Sequence, residues 1–393
     1  MRNHKLSLTC ILARFAALFC WSMLCRVGDV HADEGADPLE NLGLVYRDGN
    51  SELLQELWLL GRYHSQYHWS EGSTGEDHGH ESRRTRLGFQ GRALKSMTVH
   101  AQMVSGSDIN PFYNGFTELW MQWQFSPSLA VTLGQQKHRF THDRNVSSRY
   151  LNYLERAALT NMFNADYTPA VTLQGTINKF SYYTGLFSNS TGQNMGDAFT
   201  ELNSGYSLLA AGYYDLSDVM AFDSFFLYTS YLHSSFNDNA TNLNRFTDGL
   251  SAALILTSGA RSLVTEVTGG WSDENGNATG LNLQPGIFLT EKLQLVGRYQ
   301  GAISNRSDGL VPQRRYEQPS GLRSGERYQA LYLGANYYLA QHRIKLLGGV
   351  EYSLMDKEDV WTFSTAFRFY FGPHSGGAFP MNQLLPGDVF GAD

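Results

Sequence analysis

Beyond residue 52, apolar and polar side chains change places at almost every step. Such a two-residue period belongs to strands with one apolar and one polar face. It recurs over 53–69, 82–93, 97–106, 115–125, 128–138, 168–177, 180–188, 205–214, 223–234, 246–257, 260–272, 279–290, 293–303, 327–339, 343–354 and 360–371, predicting sixteen strands. In "TELWMQWQF" Leu119, Met121, Trp123 and Phe125 share one face, and Glu118, Trp120, Gln122 and Gln124 the other. In the last segment Trp361, Phe363, Phe367, Phe369 and Phe371 oppose Thr362, Ser364, Arg368 and Tyr370.

The connections alternate in length. The long polar "SEGSTGEDHGHE" precedes the short "LKS", "SDINPFYN" precedes "SPS", and a long stretch at 139–167 precedes "NK". Long loops on one rim and short turns on the other, with an even strand count, mark an outer-membrane barrel whose ends both lie on the periplasmic side. The predicted fold is therefore all-β: a 16-stranded antiparallel up-and-down transmembrane β-barrel over 53–371. A soluble sandwich gives the same alternation with its apolar face turned inward, and remains the competing architecture.

Composition sharpens the choice. The chain carries 52 aromatic residues and 39 glycines, in keeping with aromatic girdles and close strand packing. No run of 18 apolar residues follows the N-terminus, so helical spans are not expected. Residues 1–32 run from a basic start through "FAALFCWSMLC" to "VHA", which reads as a secretory signal cleaved after Ala32. Its removal takes away all three cysteines and leaves 26 Lys and Arg against 36 Asp and Glu, net −10. That balance argues against a nucleic-acid partner. Residues 33–52 read as a short periplasmic segment and the Gly/Pro-rich 372–393 as a C-terminal extension.

Arginine is concentrated in spite of the acidic total. "ESRRTRLGFQGRAL" (81–94) places Arg84, Arg86 and Arg92 opposite Leu87 and Phe89. If the apolar pair faces lipid, the arginines face a lumen, because an arginine on the lipid face costs about 2–4 kcal/mol near the midplane. Arg83 falls on the apolar parity and is expected above the hydrocarbon. The same parity argument gives interior Arg62, Arg298, Lys345 and Arg368, lining water in a barrel wide enough for a channel. Glu118, Glu266 and Glu351 share the interior and are available as partners. Segment 137–156 adds Lys137, Arg139, Arg144, Arg149 and Arg156 against Asp143 and Glu155, a local +3. His138 and His142 would add charge at lower pH. Glu155 and Arg156 are expected to pair and pin this segment. His64, His68, His78 and His80 belong to the first strand and loop, and a solvated loop explains them better than a metal site. No metal or other cofactor is expected, and no nucleophile elbow or phosphate-cradling glycine loop marks the chain as an enzyme.

Several stretches in order resemble the phosphate-selective porin O and P family: "LLGRYHSQY" (59–67), "RRTRLGFQGRA" (83–93), "VTLGQQKHRFTHDRNVSSRYLNYLERAALTNMF" (131–163), "YYTGLFSNS" (182–190), "GLNLQPGIFLTEKLQLVGRYQ" (280–300) and "LGANYYLAQHRIKL" (333–346). The resemblance implies an outer-membrane homotrimer that passes small anions, among them phosphate or polyphosphate. It also implies an inward-folded third loop that constricts the pore, with Lys137, Arg139, Arg144, Arg149, Glu155 and Arg156 on it. The chain departs from the family in continuing 22 residues past Phe371 and in showing only part of the basic constriction. Competing functions are a less selective porin, an outer-membrane barrel enzyme and a soluble sugar-binding β protein.

Overall fold

The computed structural model describes residues 39–163, 166–191, 194–200, 204–219, 222–236 and 246–373. The expected signal, its expected cleavage point and the expected extension from residue 374 lie outside the described residues. A short strand β1 (Leu44–Arg47) precedes sixteen long ones. These are β2 (Leu54–Gly72), β3 (Glu76–Ala93), β4 (Met97–Val104), β5 (Phe116–Ser126), β6 (Leu129–Lys137), β7 (Tyr167–Ile177), β8 (Phe180–Ser188), β9 (Gly205–Asp215), β10 (Ser224–Phe236), β11 (Asp248–Ser258), β12 (Arg261–Trp271), β13 (Ala278–Thr290), β14 (Leu293–Ser304), β15 (Arg327–Ala340), β16 (Ile344–Met355) and β17 (Glu358–Phe371).

Each strand pairs antiparallel with the next, and β17 pairs with β2 from Phe371↔Gly61 to Val360↔Gly72, so the barrel closes. Closure leaves no free edge, which a sheet in hydrocarbon requires. The sequence does not predict β1. It pairs with the foot of β2 below the end of β17, and Gly372 N donates to Leu42 O there.

The faces are sorted as lipid demands. Leu59, Leu87, Phe89, Trp361 and Phe363 are exposed on the outer wall, while Arg62, Arg86, Gln102, Thr132 and Arg368 are buried inside. A soluble sandwich would show the opposite. One outer residue, Leu119, is buried because a short helix of the fourth loop, α1 (Asp197–Thr200), lies over β5–β7 and packs Ala198 on Leu119 and Ala101.

The first loop is not the long polar loop of the sequence prediction. β2 and β3 continue upward and leave only residues 73–75 as the turn. Polar cross-strand pairs carry the ladder beyond the membrane: His68 with Asp77 at 2.7 Å, Ser65 with His80 at 2.7 Å, and Gln66 donating to Glu81 at 2.6 Å. Loop-like composition concealed a strand pair whose side chains satisfy one another.

Candidate functional site: an arginine-rich wall crossed by two loops

The third loop, 138–166, turns inward after Lys137. It forms helix α2 (His142–Asn145), an extended stretch at 146–157 and helix α3 (Ala158–Met162). Thr141 caps α2 by accepting from Arg144 N at 3.0 Å. The loop packs on the far wall through apolar side chains. Phe140 and Phe163 fill the hollow beside Gly249 and Gly270, where a Cβ would come within 2.7–2.8 Å of their rings. Around them Tyr183, Leu209, Tyr213, Tyr228, Ile255 and Val264 form a buried apolar cluster on the interior of β8–β12. The sequence reading has guanidinium groups surrounding a water column. Instead the interior of β8–β12 is dry packing, and the interior cations lie on β14, β16, β17, β2, β3 and the end of β6.

Wall cations tie the loop backbone on the other side. Arg368 donates to Tyr153 O at 2.6 Å and Leu154 O at 3.1 Å, and Lys345 to Leu151 O at 3.0 Å. Arg298 donates to Glu155 O at 2.6 Å and pairs with Glu351 at 2.9 Å. All three are 2% exposed or less, so the cations expected to line water hold the loop instead. Glu266 accepts from His142 N and Asp143 N, an anion at the start of α2. Of the interior acids, Glu351 pairs as expected; Glu266 bonds backbone.

The remaining expected site residues divide. Arg62 and Arg86 face each other across β2 and β3, with Arg84 beside His64. Arg62 reaches Ser148 Oγ of the loop at 2.6 Å, and Arg86 reaches Tyr167 Oη at 3.1 Å. Arg144 sits over the same Tyr167 ring at 5.4 Å and pairs with Asp166 at 3.3 Å. Arg62 lies in the electrostatic field of Arg86 and Arg149, and the interior acid Glu118 lies in that of Arg139, Arg86 and Lys137. Buried nitrogens Arg62 Nε, Arg84 Nη1 and Arg86 Nε have no hydrogen-bond partner. A cluster of guanidiniums with unused donors is built to receive an acceptor. Lys137 donates to Asn145 O and Val146 O, Arg139 lies over Tyr183, and Arg149 donates to Pro373 O at 3.0 Å. Arg92 shares the parity of Arg86 but is exposed opposite Glu56 at the short-turn end, away from the loop.

Three expectations are corrected. Glu155 does not pair with Arg156; neighbours in an extended stretch point apart, and Arg156 caps loop carbonyls at Val146 (2.6 Å) and Asp143. Glu155 instead accepts from Arg83 at 2.6 Å, with Arg315 at 3.4 Å and Arg84 at 3.7 Å. Arg83 turns inward because it is the extra residue of a bulge, between Arg84↔His64 and Ser82↔Ser65. His138 and His142 need a far lower pH than expected to gain charge, because burial pushes them down to about 3 and about 4. Burial alone would raise the Glu155 carboxyl, but Arg83, Arg84 and Arg315 together hold it far below the usual range.

The sequence gives no hint that the seventh loop, 305–326, also folds inward. Tyr316 packs on Leu154, Leu347 and Ala366, and its hydroxyl donates to Glu351 at 3.0 Å. Glu317, fully buried, accepts from Tyr328 Oη at 2.7 Å and Gln313 N at 2.6 Å. Burial, then the Glu351 charge, push its carboxyl up to about 7, against Tyr328, Ser353 and Gln313 N, which favour ionisation. Between the ordinary value of 4.5 and about 7 the docked loop binds more protons than the undocked one, so docking weakens as pH rises through that window. Hydrogen exchange of loop amides, corrected for intrinsic rates, should rise several-fold from about pH 5 to about pH 8 in native protein. Glu317→Gln should remove that rise; an unchanged rise would place its cause elsewhere. Among the described residues no group of three His, Cys, Asp or Glu is arranged to hold a metal ion.

A search of curated proteins by sequence finds no match. The structure is similar in fold to OprB of Pseudomonas putida (11% identity, TM-score 0.56, covering 80% of this chain and 94% of that one). It is likewise similar to OmpF of Salmonella typhi in complex with daunomycin (12%, 0.57, 83% and 100%) and to the outer membrane channel DcaP of Acinetobacter baumannii (13%, 0.53, 80% and 97%). At these identities the likeness concerns the barrel alone. The family model described as phosphate-selective porin O and P matches residues 59–222, which hold Arg62, Arg83, Arg84, Arg86 and the whole third loop. Over that segment, which builds the arginine wall and the loop crossing it, the chain is similar to the phosphate-selective porin O and P family.

Proposed function

We propose that the protein is a passive outer-membrane diffusion channel that prefers small anions, with phosphate and polyphosphate among its solutes. The observation that carries this reading is the Arg62, Arg84 and Arg86 cluster on β2 and β3, in which Arg62 Nε, Arg84 Nη1 and Arg86 Nε are buried without a hydrogen-bond partner. Arginine suits such a path because it stays charged and offers a planar fork to oxyanions. Conduction needs attraction spread over several sites, each weak enough to release its ion. The other lumen cations, Arg298, Lys345 and Arg368, set the width of the path by fixing the loop. Assembly as a homotrimer, with lipid around the outer wall, accompanies the reading, and no chemical step is assigned to any residue.

The test is the zero-current potential of the reconstituted protein across a potassium chloride gradient. A sign set by chloride is expected; a sign set by potassium would end the anion reading. Equal permeabilities would favour the second reading, a less selective porin, which the dry interior of β8–β12 and the loop-bound cations support.

A further inference from the structure

The seventh loop is tied down in two different ways. Its base is apolar: Leu310 and Gly325 form an antiparallel bridge, and Leu310 and Leu322, each 1% exposed, join the buried cluster with Tyr328 and Met355. Its tip, 313–321, crosses part of the mouth and is held by polar groups. On one side Tyr316 Oη donates to Glu351 of β16, and Glu317 accepts from Tyr328 Oη of β15. On the other Arg315 pairs with Glu81 of β3. Pro319 and Ser320 lie against the β2–β3 turn, where a Cβ on Gly75 would stand 3.4 Å from Pro319 O and from the Ser320 carbonyl carbon. A cavity of about 300 Å³, lined by Ala158, Asn161, Met162 and Val311 among others, lies between this strap and the third loop. The two loops are therefore separate layers.

The charges beneath the tip are matched except at one residue. Glu351 has Arg298, and Arg315 has Glu81 and Glu155. His68 of β2, whose ring lies 6.1 Å from that of Tyr316, has Asp77. Glu317 is fully buried and, among the described residues, forms no ion pair; Tyr328 Oη, Gln313 N and Ser353 are its hydrogen-bond partners. A buried carboxylate with no counter-ion takes up a proton or moves to water. Glu351 is fixed in the wall, whereas Glu317 rides on a loop and is free to move.

We propose that segment 313–321 is a proton-operated strap across the channel mouth: with Glu317 protonated it lies down and reduces the current, and with Glu317 ionised it lifts on its apolar base. The inference rests on the channel reading but not on an anion preference. The strap crosses the mouth where it counts. The third loop already packs against β8–β12, and Glu81, the far anchor of the tip, stands on β3 above Arg84 and Arg86. The sign follows from burial, which with the Glu351 charge lifts the Glu317 carboxyl to about 7. The docked form thus keeps a proton that the lifted form gives up. Docking is fully favoured below the ordinary value of 4.5, and that advantage is lost as pH rises through about 7.

The test is the time-averaged single-channel current of the full-length protein in planar bilayers at about pH 5 and about pH 8. Native current should rise several-fold from the first to the second. Glu317→Gln keeps the shape without the charge and should hold the current at its acid level in both. A second variant fixes the strap without touching Glu317. Residues 39–373 contain no cysteine, and Gly75→Cys with Ser320→Cys brings two Cβ atoms close to the separation that a disulfide spans. At the higher pH the oxidised pair should pass several-fold less current than the same channels after reduction. A native current indifferent to pH, a pH response that survives in Glu317→Gln, a cysteine pair that does not oxidise, or a current unchanged by reducing it would each overturn the proposal. A steady native current with an inert strap would sink this inference and leave the channel reading standing. Native protein that passes no current at either pH would refute the channel reading itself.

Discussion

Replacing Arg62 and Arg86 together by glutamate is expected to reverse the ion preference of the channel. The two residues are direct cross-strand neighbours on β2 and β3, both buried, and both reach toward the third loop or its exit, at Ser148 and Tyr167. The double change moves the local charge by four units, from a field that includes the acid Glu118 to one dominated by carboxylates. At an effective dielectric near 20, one unit charge about 8 Å away is worth roughly 2 kcal/mol. A tenfold change in relative permeability needs only about 1.4 kcal/mol, so the effect should exceed that factor and change the sign of the zero-current potential. Arg323→Glu is the control, because Arg323 is exposed on the seventh loop and lies outside the wall. An unaltered sign in the double variant, or an equal shift in the control, would mean that ions pass elsewhere.

The barrel was legible because lipid enforces one rule on every strand. Apolar positions face out, and a one-residue slip would expose the whole polar face, so alternation alone gives strand number and orientation. Arg62, Arg84 and Arg86 were found on that rule. Arg83 was misplaced because a bulge changes parity, and a bulge is a property of pairing rather than of composition. The "SEGSTGEDHGHE" stretch read as a loop because its strand pairing rests on polar partners such as His68 and Asp77 instead of apolar ones. The dry side of the lumen at β8–β12 escaped notice for a related reason. Tyr213, Tyr228 and Ile255 sit on the interior parity, where apolar side chains signal a packed loop, yet only Phe140 and Phe163 arriving from 138–166 reveal what they pack against. Parity also placed Arg298, Lys345 and Arg368 correctly on the inside. What it could not supply was their partner, since backbone carbonyls of a loop leave no mark on a sequence.

Arg298→Met is expected to be the most destabilising of the single changes. Arg298 is 2% exposed; it joins Glu351 on β16 to the carbonyl of Glu155 and lies over the Tyr153 ring at 4.7 Å. Its loss leaves the Glu351 carboxylate, itself 4% exposed, with the Tyr316 hydroxyl as its remaining hydrogen-bond donor in the same network. Breaking a buried pair from one side typically costs about 3–5 kcal/mol, because the surviving charge stays desolvated. The pair as a whole contributes less than that, so Arg298→Met with Glu351→Gln should recover much of the loss, and the double-mutant cycle should show a coupling of at least about 1 kcal/mol. Unfolding in urea in lipid vesicles reads the stability. Single-channel conductance reads the loop, which also loses its hold at Glu155 O and should admit larger currents with more noise. The two readouts separate the roles of one side chain. If the single variant unfolds within about 1 kcal/mol of the native protein while its conductance rises, Arg298 is a positioning group for the loop and Glu351 finds solvent or a proton when left alone. If stability falls and conductance stays constant in the molecules that remain folded, Arg368 and Lys345 suffice to fix the loop, and the Arg298–Glu351 pair belongs to the wall.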